Sequence, residues 1–286
     1  LEISKLFLLE KLVINFDAHL LINYPLLLEK ITNEIRALKL LKFFEWSSEQ
    51  LFPNEINLIL FNVLAIETIR SVKINCLSSN QTITRKPFLS TDDNQLISLI
   101  QPNYLEKLCL NVSNINLTTN VLQRFLIDNP TLKHFEIKMT QQSDSLDSTI
   151  NLGKLTNLKY FGVQFPVRNS NPNTLFKQIN SMINNTKGLE YFRLDIGEDP
   201  TNSGQFEKAI IEPQSELIQL LYSLSNLRFL GEIHLNFILQ ILNSEAAHDL
   251  ADAISRFTGI YSLSLSLSFF YSQMQSCFPF EKIKGS

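Results

Sequence analysis

The sequence predicts an α/β repeat protein in which short parallel strands alternate with helices along one axis. Three observations predict this fold: an apolar pattern that recurs nine times, an alternation of apolar and polar residues inside each copy, and helical spacing of apolar residues between copies. With 44% hydrophobic and 19% charged residues among 286, the chain has the composition of a packed protein rather than a disordered one.

The recurring pattern is L-x-x-L-x-L-x-Φ, in which Φ is a large apolar residue. Its clearest copy consists of Leu105, Leu108, Leu110 and Val112. Residues of a copy are numbered here by place, so that Leu105 holds the first place and Val112 the eighth. The eight other copies begin at Leu9, Leu41, Ile69, Leu132, Leu158, Leu189, Leu230 and Ile260.

The fifth and seventh places, which the pattern leaves open, indicate a strand. They hold eighteen residues in all, and only Val13 and Cys109 of these are apolar. Because side chains of a strand point alternately to its two faces, each copy is predicted to form a short strand with one buried and one wet face. In the copy at Leu230 we expect the strand to start there, since the register of the preceding Leu227 would bury Glu232, and a bulge is expected nearby.

Helical spacing between the copies predicts the second element of each repeat. Predicted helices start at Pro25 and Pro53, and shorter ones follow the caps Asp92 and Thr118. Later helices are predicted from three apolar rows: Leu175, Ile179 and Met182; Leu217, Leu220 and Leu224; and Ala247, Leu250, Ile254 and Phe257.

Asn157, Gly188 and Gly259 precede strands and tolerate the left-handed conformation that ends helices. Three polar segments lengthen their repeats and are predicted to be surface loops: residues 77–91, 140–151 and 197–213. For the third, an alternative is that its acidic Gly197-Glu198-Asp199 end docks a basic partner.

These residues resemble leucine-rich repeats, especially the longer, helix-bearing type of ribonuclease inhibitor and of F-box substrate receptors. The resemblance runs from about Leu9 to Leu267. It implies a right-handed, horseshoe-shaped leucine-rich-repeat solenoid over residues 1–268, with a concave parallel β-sheet, convex helices and about nine repeats. The Asn or Cys that usually follows the strand in this family is missing, so looser turns are expected; that place holds Ser113, Thr140, Pro166, Gly197, Ile238 and Ser268.

The ends of the repeat array carry separate expectations. The pattern is already running by Leu9, so we expect that an N-terminal part of the protein is truncated. The aromatic tail, residues 269–286, is predicted to cap the last repeat, the alternative being a docking peptide for a partner. A composition poor in Gly and rich in Asn and Ile is similar to that of ciliate and other protist proteins.

Composition also bears on compartment and partners. Cys76, Cys109 and Cys277 are an odd number without a Cys-x-x-Cys pair, which favours a reducing, intracellular, cytoplasmic location, with cytoskeletal or ciliary placement included. A net charge of −3 without blocks of like charge predicts no nucleic-acid partner. No apolar run approaches the roughly 18–20 residues of a membrane span, so none is predicted.

Catalytic chemistry is not predicted. The sequence has no Gly-rich phosphate loop, HExxH zinc motif, GxSxG elbow or kinase signature, so no catalytic residue, cofactor or metal site is expected. His134 and His234 lie at wet strand positions, where surface or partner-contact histidines outnumber metal ligands. Cys109 lies at a fifth place, but no adjacent base can be named from the sequence, which disfavours a nucleophile.

The predicted concave face is the better candidate for function, because a solenoid offers its sheet as an extended binding surface. We therefore predict a non-catalytic scaffold that binds another protein within a multi-subunit complex. Two alternatives stay open: substrate recognition in an F-box ubiquitin ligase, and regulation of an enzyme such as a protein kinase. The predicted contact residues are His134, Glu136, Lys138, Tyr160, Gln164, Tyr191, Arg193, Asp195, Glu232 and His234.

Overall fold

A computed structural model of the chain places the following residues: 3–16, 26–48, 53–76, 104–112, 129–139, 152–166, 172–184, 186–198, 207–208, 210–211, 215–241 and 244–269. The chain divides into two compact units, Leu1–Ser143 and Asp144–Ser286. The periodic pattern had predicted one solenoid over residues 1–268.

The first unit is a parallel sheet with helices between its strands. Its strands are β1 (Lys11–Phe16), β2 (Phe43–Ser48), β3 (Ser71–Cys76), β4 (Lys107–Val112) and β5 (His134–Met139). Each strand pairs in parallel with the next along the chain. Helix α1 covers Leu26–Arg36 and helix α2 covers Pro53–Leu64, and a short 3₁₀ turn, Ile3–Lys5, precedes β1.

The second unit repeats this scheme. Its strands are β6 (Tyr160–Pro166), β7 (Tyr191–Glu198), β8 (Glu207–Lys208), β9 (Ile210–Ile211), β10 (Glu232–Ile241) and β11 (Ser262–Phe269). The parallel order is β6, β7, β10, β11, with β8 antiparallel to β7 and β9 parallel to β10. Its helices are α3 (Pro172–Ile183), α4 (Ser215–Ser225) and α5 (Ser244–Ser255), and a 3₁₀ turn, Leu152–Lys154, precedes β6.

Fourth- and sixth-place residues form the apolar core of each unit. Phe44 and Trp46 of β2 are fully buried, as are Phe192 and Leu194 of β7. The polar residues beside them at fifth and seventh places, Glu45, Ser47 and Arg193, are only half-buried. The fourth and sixth places in β1 and β11 are only half-buried. The strand alternation predicted from the sequence is therefore confirmed, and burial of the apolar side is what makes each register unique.

The helices bury most of the apolar residues that predicted them, but Leu175 of α3 is only half-buried and Phe257 lies beyond the end of α5. In α1, Leu28, Ile31 and Ile35 are buried, and in the second unit Phe176 of α3 packs on Phe237 of β10 with ring centroids 6.0 Å apart. The helical layer of that unit therefore lies on the apolar side of the sheet and leaves the other side to the polar places. Every residue of α2 from 55 to 64 is buried.

Backbone hydrogen bonds tie consecutive copies together at the second place. The carbonyl of Glu10 accepts from the N–H groups of Lys42 and Phe43 at 2.8 and 3.0 Å. The same double acceptance recurs at the carbonyls of Lys42, Arg70, Glu106, Lys159, Glu190 and Gly231. Because each copy is held to the same place of its neighbour, residues at equal places lie side by side.

Several predictions require correction. The segment 197–213 is not simply a loop, since β7 runs through Glu198 and β8 and β9 lie inside the segment. Phe269, predicted to start the tail, ends β11. The expected bulge lies farther along β10, where the register with β11 shifts between His234 and Ile238. Strand β10 begins at Glu232, with that side chain half-buried rather than in the core, as the shifted register predicted.

Gly188 and Gly259 tolerate the left-handed conformation but do not adopt it, because neither φ lies in that region. Gly188 instead permits a close approach: a Cβ there would lie 2.9 Å from the carbonyl oxygen of Thr156. Outside the described residues lie the predicted helix starts Pro25, Asp92 and Thr118, the segments 77–91 and 140–151, and the tail from residue 270.

Nine strands thus coincide with the nine copies of the pattern. Among the described residues, helices lie between β1 and β2, β2 and β3, β6 and β7, β7 and β10, and β10 and β11. Each unit thus has the α/β leucine-rich-repeat architecture that the sequence predicted, a parallel sheet with helices between its strands. Among the residues that the structure describes, no helix is both long and apolar enough to cross a membrane.

Candidate functional site

The polar face is the name used here for the side of each sheet that carries the third, fifth and seventh places. In the second unit the pairing of β6, β7 and β10 sets Tyr160 beside Tyr191 and Tyr191 beside Glu232. Two residues along, Arg193 of β7 lies between Gly162 of β6 and His234 of β10. Seven predicted contact residues therefore share one surface patch: Tyr160, Gln164, Tyr191, Arg193, Asp195, Glu232 and His234.

A row of stacked rings crosses three strands of this patch. The rings of Tyr160 and Tyr191 lie 4.6 Å apart with an interplanar angle of 15°, and those of Tyr191 and His234 lie 5.1 Å apart at 22°. Each such pair contributes about 0.5–1.5 kcal/mol beyond its buried area. All three side chains are half-buried, so the row is fixed in position while part of each ring stays accessible to solvent.

Beside the row, Arg193 and Asp195 form a two-point ion pair along β7. Arg193 Nε donates to both carboxylate oxygens of Asp195, at 3.1 and 2.9 Å, and Nη2 lies 2.9 Å from Oδ2. The hydrogen bonds that Asp195 accepts from Arg193 raise the pKa of Arg193. The side chain of Asp195 is only 5% exposed against 40% for Arg193, so Asp195 positions the guanidinium, and the guanidinium is the accessible member of the pair.

On β10, Glu232 holds two neighbours. Its Oε2 lies 3.6 Å from Nε2 of His234, and its Oε1 accepts a hydrogen bond of 2.9 Å from the hydroxyl of Tyr261. That hydrogen bond raises the pKa of Tyr261. The Tyr261 ring lies directly over Gly231, where a Cβ would come within 2.3 Å of a ring carbon.

Tyr261 was missed as a site residue from the sequence. It holds a second place, whereas only third, fifth and seventh places were read as the exposed face. A signal was available in the sequence: Gly231 and Tyr261 hold the second places of consecutive copies, so an aromatic ring lies next to a residue without a side chain.

The other three predicted contact residues lie on β5 of the first unit. His134 Nε2 is 3.9 Å from Oε2 of Glu136, and Lys138 Nζ is 3.4 Å from its Oε1. Interaction with His134, and then the charge of Lys138, lower the pKa of Glu136 to about 2. Glu136 is therefore a carboxylate throughout the physiological range.

Cys109 lies beside this group, because its place on β4 pairs in register with Glu136. The sequence could name no base next to Cys109, but the structure brings the imidazole of His134 close to it. Burial, followed by the negative charge of Glu136, raises the pKa of Cys109 to about 11. The thiol is thus protonated at neutral pH and 8% exposed, which does not favour a nucleophile.

A second feature missed from the sequence is a set of charge pairs at the second place. In the first unit Lys42 contacts Glu10 at 2.7 Å and Lys133 contacts Glu106 at 3.1 Å. In the second unit Lys159 contacts Glu190 at 2.7 Å. Opposite charges at equal places of consecutive copies are visible in the sequence, but these exposed pairs each contribute only about 0–1 kcal/mol.

One of the solved structures to which the chain is similar is titled "Crystal structure of TLR13-ssRNA13 complex". The sequence identity is 14% and the TM-score is 0.43. The match covers 86% of this chain and 32% of the TLR13 chain, so this chain spans about a third of the length of the TLR13 chain. No protein-family model and no curated protein matches the chain.

Proposed function

We propose that the chain is a non-catalytic scaffold that binds a partner protein through the polar face, within a multi-subunit assembly. The row of Tyr160, Tyr191 and His234 supports this proposal most directly, because it presents three stacked, half-accessible rings across neighbouring strands. On the first unit, His134, Glu136 and Lys138 extend the proposed contact set.

Preorganisation is the physical argument for binding. Tyrosine and arginine side chains contribute most often to interface energy, and a side chain already held by its neighbours loses little entropy when a partner docks. Stacking holds Tyr160 and Tyr191, and the carboxylate of Asp195 holds Arg193. A partner segment that lies along the strands would meet aromatic faces and a guanidinium in fixed positions.

Local charge balance suggests which forces dominate. Arg193 is neutralised by Asp195, and Glu232 is engaged by Tyr261 and His234. With His234 neutral, the side chains of Arg193, Asp195 and Glu232 together carry a single net negative charge. We infer that stacking and hydrogen bonding contribute more to partner binding than long-range electrostatic attraction, which salt would screen.

The repeat type, the cellular location and two alternative roles are proposals as well. Helices of eleven or twelve residues between strands favour the longer repeat type of ribonuclease inhibitor, and Cys109, a thiol here, suits a reducing interior of the cell. An F-box helix bundle upstream in the full open reading frame would indicate a ubiquitin-ligase receptor. ATP turnover by the intact protein would indicate the regulatory part of an enzyme such as a protein kinase.

The test begins with affinity purification of the full-length protein and mass spectrometry, which supply a partner for a purified binding assay. The double variant Tyr160→Ala/Tyr191→Ala should then bind that partner about 1–4 kcal/mol more weakly by calorimetry, as interface aromatics do. Moderate salt should change the wild-type affinity little.

Tyr222→Ala is the matched control, because Tyr222 lies on α4 and its hydroxyl bonds Asp252 of α5, away from the polar face. Its affinity for the partner should equal that of the wild type. Undiminished binding by the double variant, with its circular dichroism spectrum preserved, would remove the polar face of the second unit as the binding site.

A further inference from the structure

Three side chains with metal-binding atoms converge on the polar face of the first unit. The Sγ of Cys109, an imidazole nitrogen of His134 and a carboxylate oxygen of Glu136 all lie within 4.8 Å of one another. Among the residues that the structure describes, this is the one group of three or more such side chains.

The strand pairing makes this convergence a fixed property of the fold. Cys109 of β4 and Glu136 of β5 are register partners, and His134 lies two residues before Glu136 on the same face. Beneath them, Leu108 and Phe135, also register partners, are fully buried and anchor the two strands. The three ligand atoms therefore start from a rigid backbone rather than from a loop.

The environment is sheltered but not closed. Cys109 is 8% exposed, and the side chains of Glu136 and His134 are 19% and 25% exposed. A bound ion would thus have protein on its sheet side and one approach from the polar face. Partial burial strengthens charge interactions, because the local dielectric is lower than that of water.

We propose that Cys109, His134 and Glu136 bind one Zn²⁺ ion and leave its fourth coordination position open toward the polar face. A thiolate, an imidazole and a carboxylate are the three ligand types that zinc takes in proteins, whereas Ca²⁺ and Mg²⁺ take oxygen ligands. Ligand atoms of a tetrahedral zinc site lie about 3.5 Å apart. The three ligand atoms here lie within 4.8 Å of one another, so side-chain rotations that shorten these distances by roughly 1 Å would complete the site.

Charge and proton balance are satisfied. Binding replaces the thiol proton of Cys109 by the ion and releases that proton to solvent, after which thiolate and carboxylate together balance the two positive charges of zinc. Lys138 contacts Glu136 at 3.4 Å, so a bound ion must either displace the Lys138 ammonium group or share the Glu136 carboxylate with it. The inference does not depend on the scaffold proposal, since metal binding is measured without a partner.

Cobalt titration of the full chain is the test, because Co²⁺ occupies zinc sites and a cobalt–thiolate bond absorbs in the near ultraviolet. Chelator-treated, gel-filtered protein should bind one equivalent of Co²⁺ with a thiolate charge-transfer band, and Zn²⁺ should remove that band by competition. Cys109→Ser should abolish the band. His134→Gln and Glu136→Gln should each weaken Zn²⁺ binding at least roughly tenfold, since even outer-shell changes weaken metal sites by that factor.

Two control variants should retain the band and the stoichiometry. Cys76→Ala removes a buried thiol at an eighth place, on the opposite side of the sheet, and His234→Gln removes the imidazole of the similar Glu232–His234 pair, which has Ser264 rather than a cysteine beside it. Circular dichroism verifies the fold of every variant.

The proposal is overturned if wild-type protein shows no charge-transfer band, or if the band survives Cys109→Ser. If Cys109→Ser does not fold, Glu136→Gln decides the matter, because the substitution is nearly isosteric and the side chain is not fully buried. Zinc affinity unchanged by Glu136→Gln would then overturn the site.

Discussion

At the scale of single residues, neighbours on the polar face set the charge of a half-buried group. Glu136 has its pKa lowered from 4.5 to about 2, first by His134 and then by Lys138, against the opposing effect of burial. Because the folded-state pKa is below the unfolded one, the charged form of Glu136 stabilises the fold above about pH 4.5. This contribution is lost as the pH falls toward 2.

The dependence of the unfolding free energy on pH therefore measures the contribution of the Glu136 carboxylate to stability. In metal-free buffer, the difference in unfolding free energy between wild type and Glu136→Gln should be largest above pH 5 and shrink by up to about 3 kcal/mol toward pH 2. Urea unfolding at a series of pH values gives this difference. Glu245→Gln, on the exposed side of α5, is the control for the loss of one carboxylate. A difference that does not vary with pH for Glu136→Gln contradicts the assignment.

Residue neighbours were predictable where equal places were compared across consecutive copies. Tyr160 and Tyr191 both hold third places of adjacent copies, and the structure stacks them. The same comparison would have set Cys109 beside Glu136, which are both fifth places. The depth of Asp195 and Cys109 was not predictable, because it depends on how neighbouring side chains fold over them rather than on the strand alternation.

At the scale of elements, the strands with a full apolar pattern were predictable and the short ones were not. Burial of the fourth and sixth places forces one register, so nine strands follow from nine copies. Strands β8 and β9 have two residues each, too few to show any period. The register shift in β10 also escapes prediction in detail, because it accommodates the pairing of that strand with both β9 and β11.

The turn before β7 offers a sharp test at this scale. In Gly188→Ala the new Cβ would lie 2.9 Å from the carbonyl oxygen of Thr156, a backbone atom that side-chain rotation cannot move. The variant should lose about 1–3 kcal/mol of stability, as overpacked sites do. Thermal or urea unfolding measures the loss.

Gly259→Ala is the matched control, because nothing lies within 4 Å of its Cβ position and its φ is not left-handed. It should be neutral or stabilised by a few tenths of a kcal/mol to about 1 kcal/mol, since alanine restricts the unfolded chain. Equal effects of the two substitutions would contradict the close approach described for Gly188.

At the scale of the whole molecule, repetition explains what the sequence could predict. A strand–helix unit cannot bury its apolar face alone, so neighbouring copies seal one another and the pattern reports the fold. The division at residues 143 and 144 was not predicted, because the pattern records local alternation and not how contacts are distributed along the chain. The proposed binding partner leaves no periodic signal, so the proposed function rests on the chemistry of the polar face.

The central claim is that a partner covers the polar face of the second unit, and side-chain footprinting tests it most directly. Hydroxyl-radical labelling of the full chain, alone and with its purified partner, is read by mass spectrometry. Labelling of Tyr160, Tyr191 and His234 should fall in the complex, while that of Tyr222 and the exposed Phe229 stays constant. Unchanged labelling of the three stacked rings, with protection at Tyr222 or Phe229 instead, would contradict the account.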